Sequence, residues 1–283
     1  MTGTTISAAR LIKVAESLPG APKVLTELDD LMRNPNSNLE MIAALLRRDI
    51  ALTGRIVRIA NGIVYTRGEP VGELEEALAR VGFSEVFRLI SIASMLQMAD
   101  VQLRYYPITP KILRENALFS ALLMEALAPL VGIEPRLAYT TGLLRSVGRI
   151  VLDVTAQRDR CIHQVPPLPE DGLVEWELDL FGMTSYEAGT HVLKAWRFPA
   201  ELIVAVRDQL LHNLVIDPLP IAKLLHVAVA AVYAAGYTMP GGHYYLDRYA
   251  AEARSDLNLS DDQVAVAVAQ GTHRFERMKA VLA

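Results

Sequence analysis

Residues 37–62, SNLEMIAALLRRDIALTGRIVRIANG, decide the fold because they contain two helices together with the signals that begin and end them. Ser37 and Glu40 are spaced as a capping box, in which each side chain satisfies a free backbone N–H at the start of a helix. Asp49 is placed to cap the next helix, and Asn61, followed by glycine, is a typical helix stop. The segment therefore predicts two consecutive helices joined by a tight turn.

The apolar residues repeat at helical spacing. Leu52, Ile56 and Ile59 follow one another at intervals of four and three residues, which places them on one buried face. The most apolar stretch of the chain, Leu224 to Ala235, contains His226 and is too short to span a bilayer. It predicts a buried core helix.

Helix-start signals recur through the rest of the chain. Threonine followed by proline at 109–110 predicts the start of a long helix, because threonine caps a helix and proline fits its first turn. Capping boxes at 184–187 and 260–263 predict two further starts. We find no alternating pattern long enough to predict a strand. The sequence therefore predicts an all-α fold.

The amino-acid composition indicates the class of protein and the kinds of partner to be expected. The 283 residues are 52% apolar and 6% aromatic, and the formal net charge is -4 without a block of lysine and arginine. This predicts a globular protein and gives no indication of tight nucleic-acid binding. Cys161 is the single cysteine, which fits a reducing compartment, and Met1 to Ser17 lacks the features of a secretory signal. We expect a cytoplasmic protein without membrane or nucleic-acid partners.

Several segments, taken in order, resemble the HDOD family, the signalling relatives of HD-domain metal-dependent phosphohydrolases. The matching segments are LPGAP at 18–22, RDIALT at 48–53 with RIAN at 58–61, EEALARVG at 75–82, TGLLRSVGRIVL at 141–152, EAG at 187–189 and KAWRFP at 194–199. One difference is Ile50, where the family usually has proline. Because residues 104–109 also predict a linker, we expect an N-terminal helical bundle at residues 1–105 packed on a degenerate HD-like helical bundle at residues 106–283.

The resemblance also implies where an HD phosphohydrolase holds its metal ions, and this chain has other residues there. The His-Asp pair that names the superfamily matches Arg145 and Ser146. The remaining ligand positions match Phe119, Thr184 or Ser185, Gln209 with Leu210, and Val229. Arginine does not coordinate metals at physiological pH, valine and phenylalanine have no donor atom, and hydroxyl or amide groups replace imidazole poorly. We therefore predict no catalytic residues, no metal site, no cofactor and no enzymatic activity.

The vestigial pocket is predicted to be lined by Arg145, Ser146, Ser185 and Gln209, with Arg149 on the same helix as the lost metal pair. Two interpretations of the arginines remain open. Either they fill the vacated space and pair with Asp153 or a glutamate, or they hold an anionic ligand. The first is preferred.

Other reactive side chains have structural explanations that we prefer. His226 is expected in the core. A metal pair of His243 and Asp247, a catalytic pair of Cys161 and His163, and a phosphate-binding cluster of Arg47, Arg48, Arg55, Arg58 and Arg67 are all weaker alternatives.

The predicted function is a non-catalytic bacterial regulatory module in signal transduction that acts by binding a protein. The resemblance implies a partner of the diguanylate cyclase or cyclic-di-GMP phosphodiesterase type. The alternative is a nucleotide or cyclic-dinucleotide sensor that uses the vestigial pocket, and residual metal-dependent phosphohydrolase activity is a third hypothesis. Homo-oligomerisation is left open.

Overall fold

The computed structural model describes residues 5–18, 23–62, 65, 68–160, 162, 165–169, 171–211, 217–246 and 248–282. All regular elements in these ranges are helices, which confirms the predicted all-α fold. The helices of the N-terminal third are Ala8–Glu16 (α1), Lys23–Arg33 (α2), Leu39–Leu46 (α3), Ile50–Ala60 (α4), Leu74–Val81 (α5) and Phe83–Ala99 (α6). Helices α2 to α6 pack on one another, with α4 against α5 and α6, and α3 against α2 and α5.

The remaining helices build the larger part of the core. They are Pro110–Leu127 (α7), Pro135–Leu144 (α8), Val147–Asp159 (α9), Leu173–Phe181 (α10), Ser185–Ala195 (α11), Ala200–Asp208 (α12), Pro220–Ala234 (α13), Arg248–Asp256 (α14) and Asp261–Leu282 (α15), with short 3-10 helices at Ala128–Val131 and Gly242–Tyr245. Helix α7 lies at the centre, in contact with α6, α8, α13 and α15. Helix α13 carries the predicted core stretch, and none of the helices in the described ranges is long and apolar enough to cross a membrane.

Most of the predicted caps are present, with one correction. Asp49 accepts the N–H of Leu52 at 2.9 Å, and the capping boxes at 184–187 and 260–263 form as predicted. The cap of α3, however, is Asn38 and not Ser37, because the Asn38 side chain accepts the N–H of Met41 at 2.9 Å. Asparagine caps as well as serine, and from position 38 its amide oxygen reaches the third helical N–H.

Helix α1 packs away from the other N-terminal helices. Its buried residues Leu11, Val14 and Ala15 lie against α9 and α11, and the Ile6 N–H donates to the Phe181 carbonyl at 2.9 Å. The first helix thus contributes to the same core as the predicted HD-like bundle. The division between residues 105 and 106 stays a prediction.

A close contact brings α9 against α11. A Cβ atom added at Gly148 would lie 1.8 Å from the Ser185 carbonyl oxygen and 2.7 Å from the Gly189 nitrogen. Only glycine allows the two backbones to approach this closely. The contact places the start of α9, which follows Arg145 and Ser146, beside the start of α11.

Candidate functional site

Arg145 ends α8 and is buried, with 3% of its surface exposed. Its guanidinium donates from Nη2 to Asn116 Oδ1 at 2.5 Å, from Nε to Ser120 Oγ at 3.3 Å and from Nη1 to Gln209 Oε1 at 3.3 Å. Asn116 and Ser120 are four residues apart on α7, so both project from one face. All three acceptors are uncharged, so neutral groups of α7 and the end of α12 solvate a buried cation.

Gln209 joins this cluster to the rest of the core. Its Nε2 donates to the Arg145 carbonyl at 3.1 Å and to the Val206 carbonyl at 2.8 Å. The Tyr245 hydroxyl donates to Gln209 Oε1 at 2.7 Å, and His226 Nδ1 lies 2.9 Å from the Gln209 carbonyl oxygen. The Arg145 guanidinium carbon also lies 5.5 Å from the centre of the Tyr245 ring, within the range of a cation–π contact. We call Asn116, Ser120, Arg145, Gln209 and Tyr245 the Arg145 network.

Arg149 belongs to a second buried group, with Glu177, Tyr106 and Tyr186. Burial alone would lower the pKa of Arg149, but the neighbouring tyrosine hydroxyls and Glu177 raise it. Its Nη1 atom has no hydrogen-bond partner within the described part of the chain, and the same is true of the Tyr186 hydroxyl. Arg149 is therefore a buried cation without a direct ion pair among the residues that the structure describes.

Glu177 is the carboxylate of this second group. It accepts the Tyr106 hydroxyl at 2.8 Å through Oε1 and the Ser185 backbone N–H at 2.6 Å through Oε2. Burial raises the pKa of Glu177, although Arg149 and the two hydrogen bonds oppose the shift. Glu177 thereby ties α10 to the start of α11.

The predicted pocket residues fall into two groups and not one open cleft. Arg145 and Gln209 are hydrogen-bonded to each other, whereas Ser185 contacts Glu177 through its backbone, and its hydroxyl has no partner in the described part of the chain. Ser146 is buried and makes no side-chain hydrogen bond within the described residues. Arg149 lies on α9 whereas Arg145 ends α8, so the prediction that Arg149 shares a helix with position 145 is wrong. Whether any of these side chains binds a ligand stays a prediction.

The expected pairing of an arginine with Asp153 is wrong. Asp153 accepts the backbone N–H groups of Arg104, Tyr105 and Tyr106 at 2.9, 2.8 and 3.1 Å. Its carboxylate thus fixes the segment between α6 and α7 and has no oxygen directed at Arg145 or Arg149. The aspartate four residues after Arg149 on the same helix suggested a pair in the sequence, but its carboxylate accepts the backbone N–H groups of residues 104–106 instead.

The other positions that match metal ligands in the resemblance are also occupied by side chains that pack in the core. Phe119 stacks on Phe275 of α15 at 4.9 Å between ring centres, and Val229 is fully buried in α13. The metal ions of an HD phosphohydrolase are held by imidazole and carboxylate donors, but the Arg145 network offers two amides, two hydroxyls and a guanidinium that would repel a cation. These residues do not fit a metal ion. Over the described residues, no group of three or more His, Cys, Asp and Glu side chains is placed to hold one.

The remaining candidates have ordinary surroundings. His226 is buried in the core, as expected, and His243 lies 3.4 Å from Asp171 at the surface. Arg47, Arg48 and Arg55 form exposed ion pairs with Glu75, Glu27 and Asp100. Cys161, His163, Arg67 and Asp247 lie outside the described residues.

Sequence reasoning placed Gln209 beside Arg145 but missed the other partners, Asn116, Ser120 and Tyr245. Asn116 and Ser120 are two polar residues at a spacing of four on the otherwise apolar buried face of α7, which is a signal that could have been used. Glu177 is likewise an acidic residue on the buried face of α10. Tyr245 follows two glycines in an irregular segment and gave no periodic signal.

Comparisons with known proteins support the fold. A signal transduction protein of Marinobacter aquaeolei VT8, provisionally so described, matches with a TM-score of 0.69 at 20% identity over 99% of this chain and 63% of that one. A protein of Shewanella amazonensis SB2B, provisionally described as a phosphohydrolase, matches with a TM-score of 0.64 at 21% identity over 97% and 98%. At these identities both likenesses show the fold alone.

Sequence comparison gives a relative and a family. An uncharacterised protein of Treponema pallidum (strain Nichols) is 25% identical over 220 residues, which is 75% of this chain. The chain spans only 41% of that relative's length. The family model for the HDOD domain matches residues 18–211. This match covers more than half of the chain and includes α2 to α12, with the Arg145–Gln209 contact. The chain therefore belongs to the HDOD domain family.

Proposed function

We propose that the chain is a non-catalytic regulatory module of signal transduction that acts by binding a partner protein. The observation that carries the proposal is the Arg145 network, in which a bonded guanidinium lies at the position matched to the superfamily's metal pair. A hydrolase of this superfamily needs a metal-activated water at that place. The description of one structural neighbour as a signal transduction protein agrees with a regulatory role.

The surface of α2, α3 and α4 is the proposed contact with the partner. A groove of about 500 Å³ lies along α2 and α3, with Leu31, Met41 and Leu45 among its lining residues. Met41 is 41% exposed, and Ile50 at the start of α4 is 87% exposed. Exposed apolar side chains next to a groove are typical of protein-binding surfaces.

Direct binding to purified diguanylate cyclase and cyclic-di-GMP phosphodiesterase proteins of the source organism tests this proposal. We expect one of them to bind, and Met41→Glu with Ile50→Glu to weaken binding about tenfold or more, because two charges would be buried in an apolar contact. Val266→Glu is the matched control, since Val266 is 57% exposed on α15. Equal affinity of the double variant and the wild type would place the partner elsewhere, and binding to neither class would contradict the proposed partners.

A phosphodiesterase assay with bis(4-nitrophenyl) phosphate and added Mn²⁺ tests the non-catalytic part. We expect no turnover above the rate of heat-denatured protein. Turnover that a chelator abolishes, in protein free of contaminating hydrolase, would contradict it. The alternative of a nucleotide sensor at Arg145 has less support, because each nitrogen of that guanidinium already donates to a buried acceptor.

A further inference from the structure

A second basic site lies outside the Arg145 network. A cleft of about 250 Å³ opens between α5, α6, α7 and α15, and four arginines line it: Arg80, Arg88, Arg274 and Arg277. Tyr65 lines it from the segment between α4 and α5. We call this the arginine cleft. It forms only in the folded chain, because its residues come from segments about 200 positions apart.

The arginine cleft is positively charged, whereas the whole chain is acidic. Its four guanidinium groups face two carboxylates, those of Glu85 and Glu125. Arg88 pairs with both of them, and Arg274 lies 3.2 Å from Glu125. The local charge is therefore positive by two, on a chain with a formal net charge of -4.

Several donors in and behind the cleft remain unused. Arg277 makes no ion pair or hydrogen bond with any residue that the structure describes. Behind the cleft, the buried Arg88 Nε atom and the Tyr139 hydroxyl have no partner among the described residues, and burial raises the pKa of Tyr139 while Arg88 partly lowers it. The other nitrogens of Arg88 are held by Glu85 and Glu125, and Arg80 donates to Asn61 Oδ1 and to the Glu69 carbonyl. Buried donors are normally satisfied, and each one left without an acceptor is costly. Arg277 is therefore the side chain of the cleft that is most available to an acceptor from outside the chain.

The shape of the cleft favours a small organic anion. Val81, Leu122 and Met278 form apolar walls between the charged groups. Apolar walls lower the local dielectric constant and strengthen each guanidinium contact. Planar guanidinium groups bind phosphate through paired hydrogen bonds.

We propose that the arginine cleft binds a small organic phosphate with at least two negative charges, of about mononucleotide size. The ligand would contact Arg274 and Arg277 of α15 and lie in the field of Arg80 and Arg88 from the N-terminal helices, and so would stabilise the packing of α15. The proposal is independent of the partner surface and of the Arg145 network, and its test does not involve a partner protein.

Calorimetric titration of the full chain at low salt tests the proposal, with ADP, GDP, pyrophosphate, inorganic phosphate and adenosine as probes. We expect ADP or GDP to bind with a Kd below about 1 mM, pyrophosphate or inorganic phosphate to bind more weakly, and adenosine not to bind. In the Arg274→Ala/Arg277→Ala double variant the affinity should fall about tenfold or more, since charge-assisted hydrogen bonds are lost.

The matched control is the Arg47→Ala/Arg48→Ala double variant, which removes the same charge from exposed ion pairs outside the cleft. It should bind like the wild type. If neither nucleotide binds below about 1 mM, or if both double variants lose the same affinity, the proposal is wrong. Tighter binding of pyrophosphate than of either nucleotide would show that the cleft does not recognise the organic part of the ligand.

Discussion

At the scale of single residues, the Arg145 guanidinium shows how a protein can keep a full positive charge in its core. Three uncharged side chains from two helices accept its hydrogen bonds, and the Tyr245 ring faces it. These buried acceptors in turn need the arginine as their hydrogen-bond donor. Removal of the arginine would leave a cavity and leave Asn116 Oδ1 and Ser120 Oγ without this donor.

We predict that Arg145→Ala lowers the free energy of unfolding by about 2–4 kcal/mol, because a cavity forms and buried acceptors lose their donor. Arg145→Lys should lose less unfolding free energy than Arg145→Ala, since its ammonium group keeps part, but not all, of the hydrogen bonding. Urea denaturation measures both variants. A change below about 0.5 kcal/mol for Arg145→Ala, the size expected of a surface substitution, would mean that Arg145 is not part of a bonded core.

Glu177 gives a prediction about pH. Its pKa is raised by burial above its ordinary value of 4.5. A carboxyl group with a raised pKa in the folded state binds its proton more tightly there than in the unfolded chain. Its contribution to stability is therefore largest below the ordinary value, and it is lost as the pH rises through the raised pKa.

Comparison of wild type with Glu177→Gln over this range measures the effect, because glutamine does not titrate. We expect the unfolding free energy of the wild type, measured relative to that of Glu177→Gln, to be greatest near pH 4. This difference should shrink as the pH rises from there. An advantage that grows over the same interval would show that Arg149 and the hydrogen bonds outweigh burial and lower the pKa.

At the scale of elements, the contact between α9 and α11 positions both buried polar groups. Gly148 makes it possible, since a side chain there would strike the backbone at Ser185. The contact brings the end of α8, with Arg145, near α11. Local sequence signals show where each helix begins, but the approach of two helices depends on which residues meet, and that depends on the tertiary fold.

Gly148→Ala should therefore destabilise the protein by about 3 kcal/mol or prevent folding, because backbone and not a flexible side chain would have to move. Gly54→Ala is the matched control. Gly54 lies within α4 and has no atom within 4 Å of an added Cβ, so alanine should stabilise the helix by about 0.5–1 kcal/mol. Thermal denaturation compares the two. Equal melting temperatures would show that α9 and α11 are not in tight contact.

At the scale of the whole molecule, the sequence alone was sufficient to predict the fold class and the positions at which most helices begin. The periodicity of Leu52, Ile56 and Ile59 and the caps at Asp49 and Thr109 are local properties that the chain carries without its fold. The family followed from motif order and agrees with the matched family model. The Arg145 network could not be predicted from local sequence signals, because Asn116 and Gln209 are separated by almost a hundred residues. Arg274 and Arg277 likewise meet Arg80 and Arg88 only in the tertiary structure.

The position that the family resemblance matches to the metal pair of HD phosphohydrolases holds a hydrogen-bonded arginine, Arg145. Elemental analysis of the purified chain after growth with added manganese, iron and zinc measures whether this position still binds metal. We expect far less than one bound ion per chain, because a buried guanidinium and neutral amide and hydroxyl groups do not attract a metal ion. One or two tightly bound ions per chain would show that Arg145 does not replace the metal site.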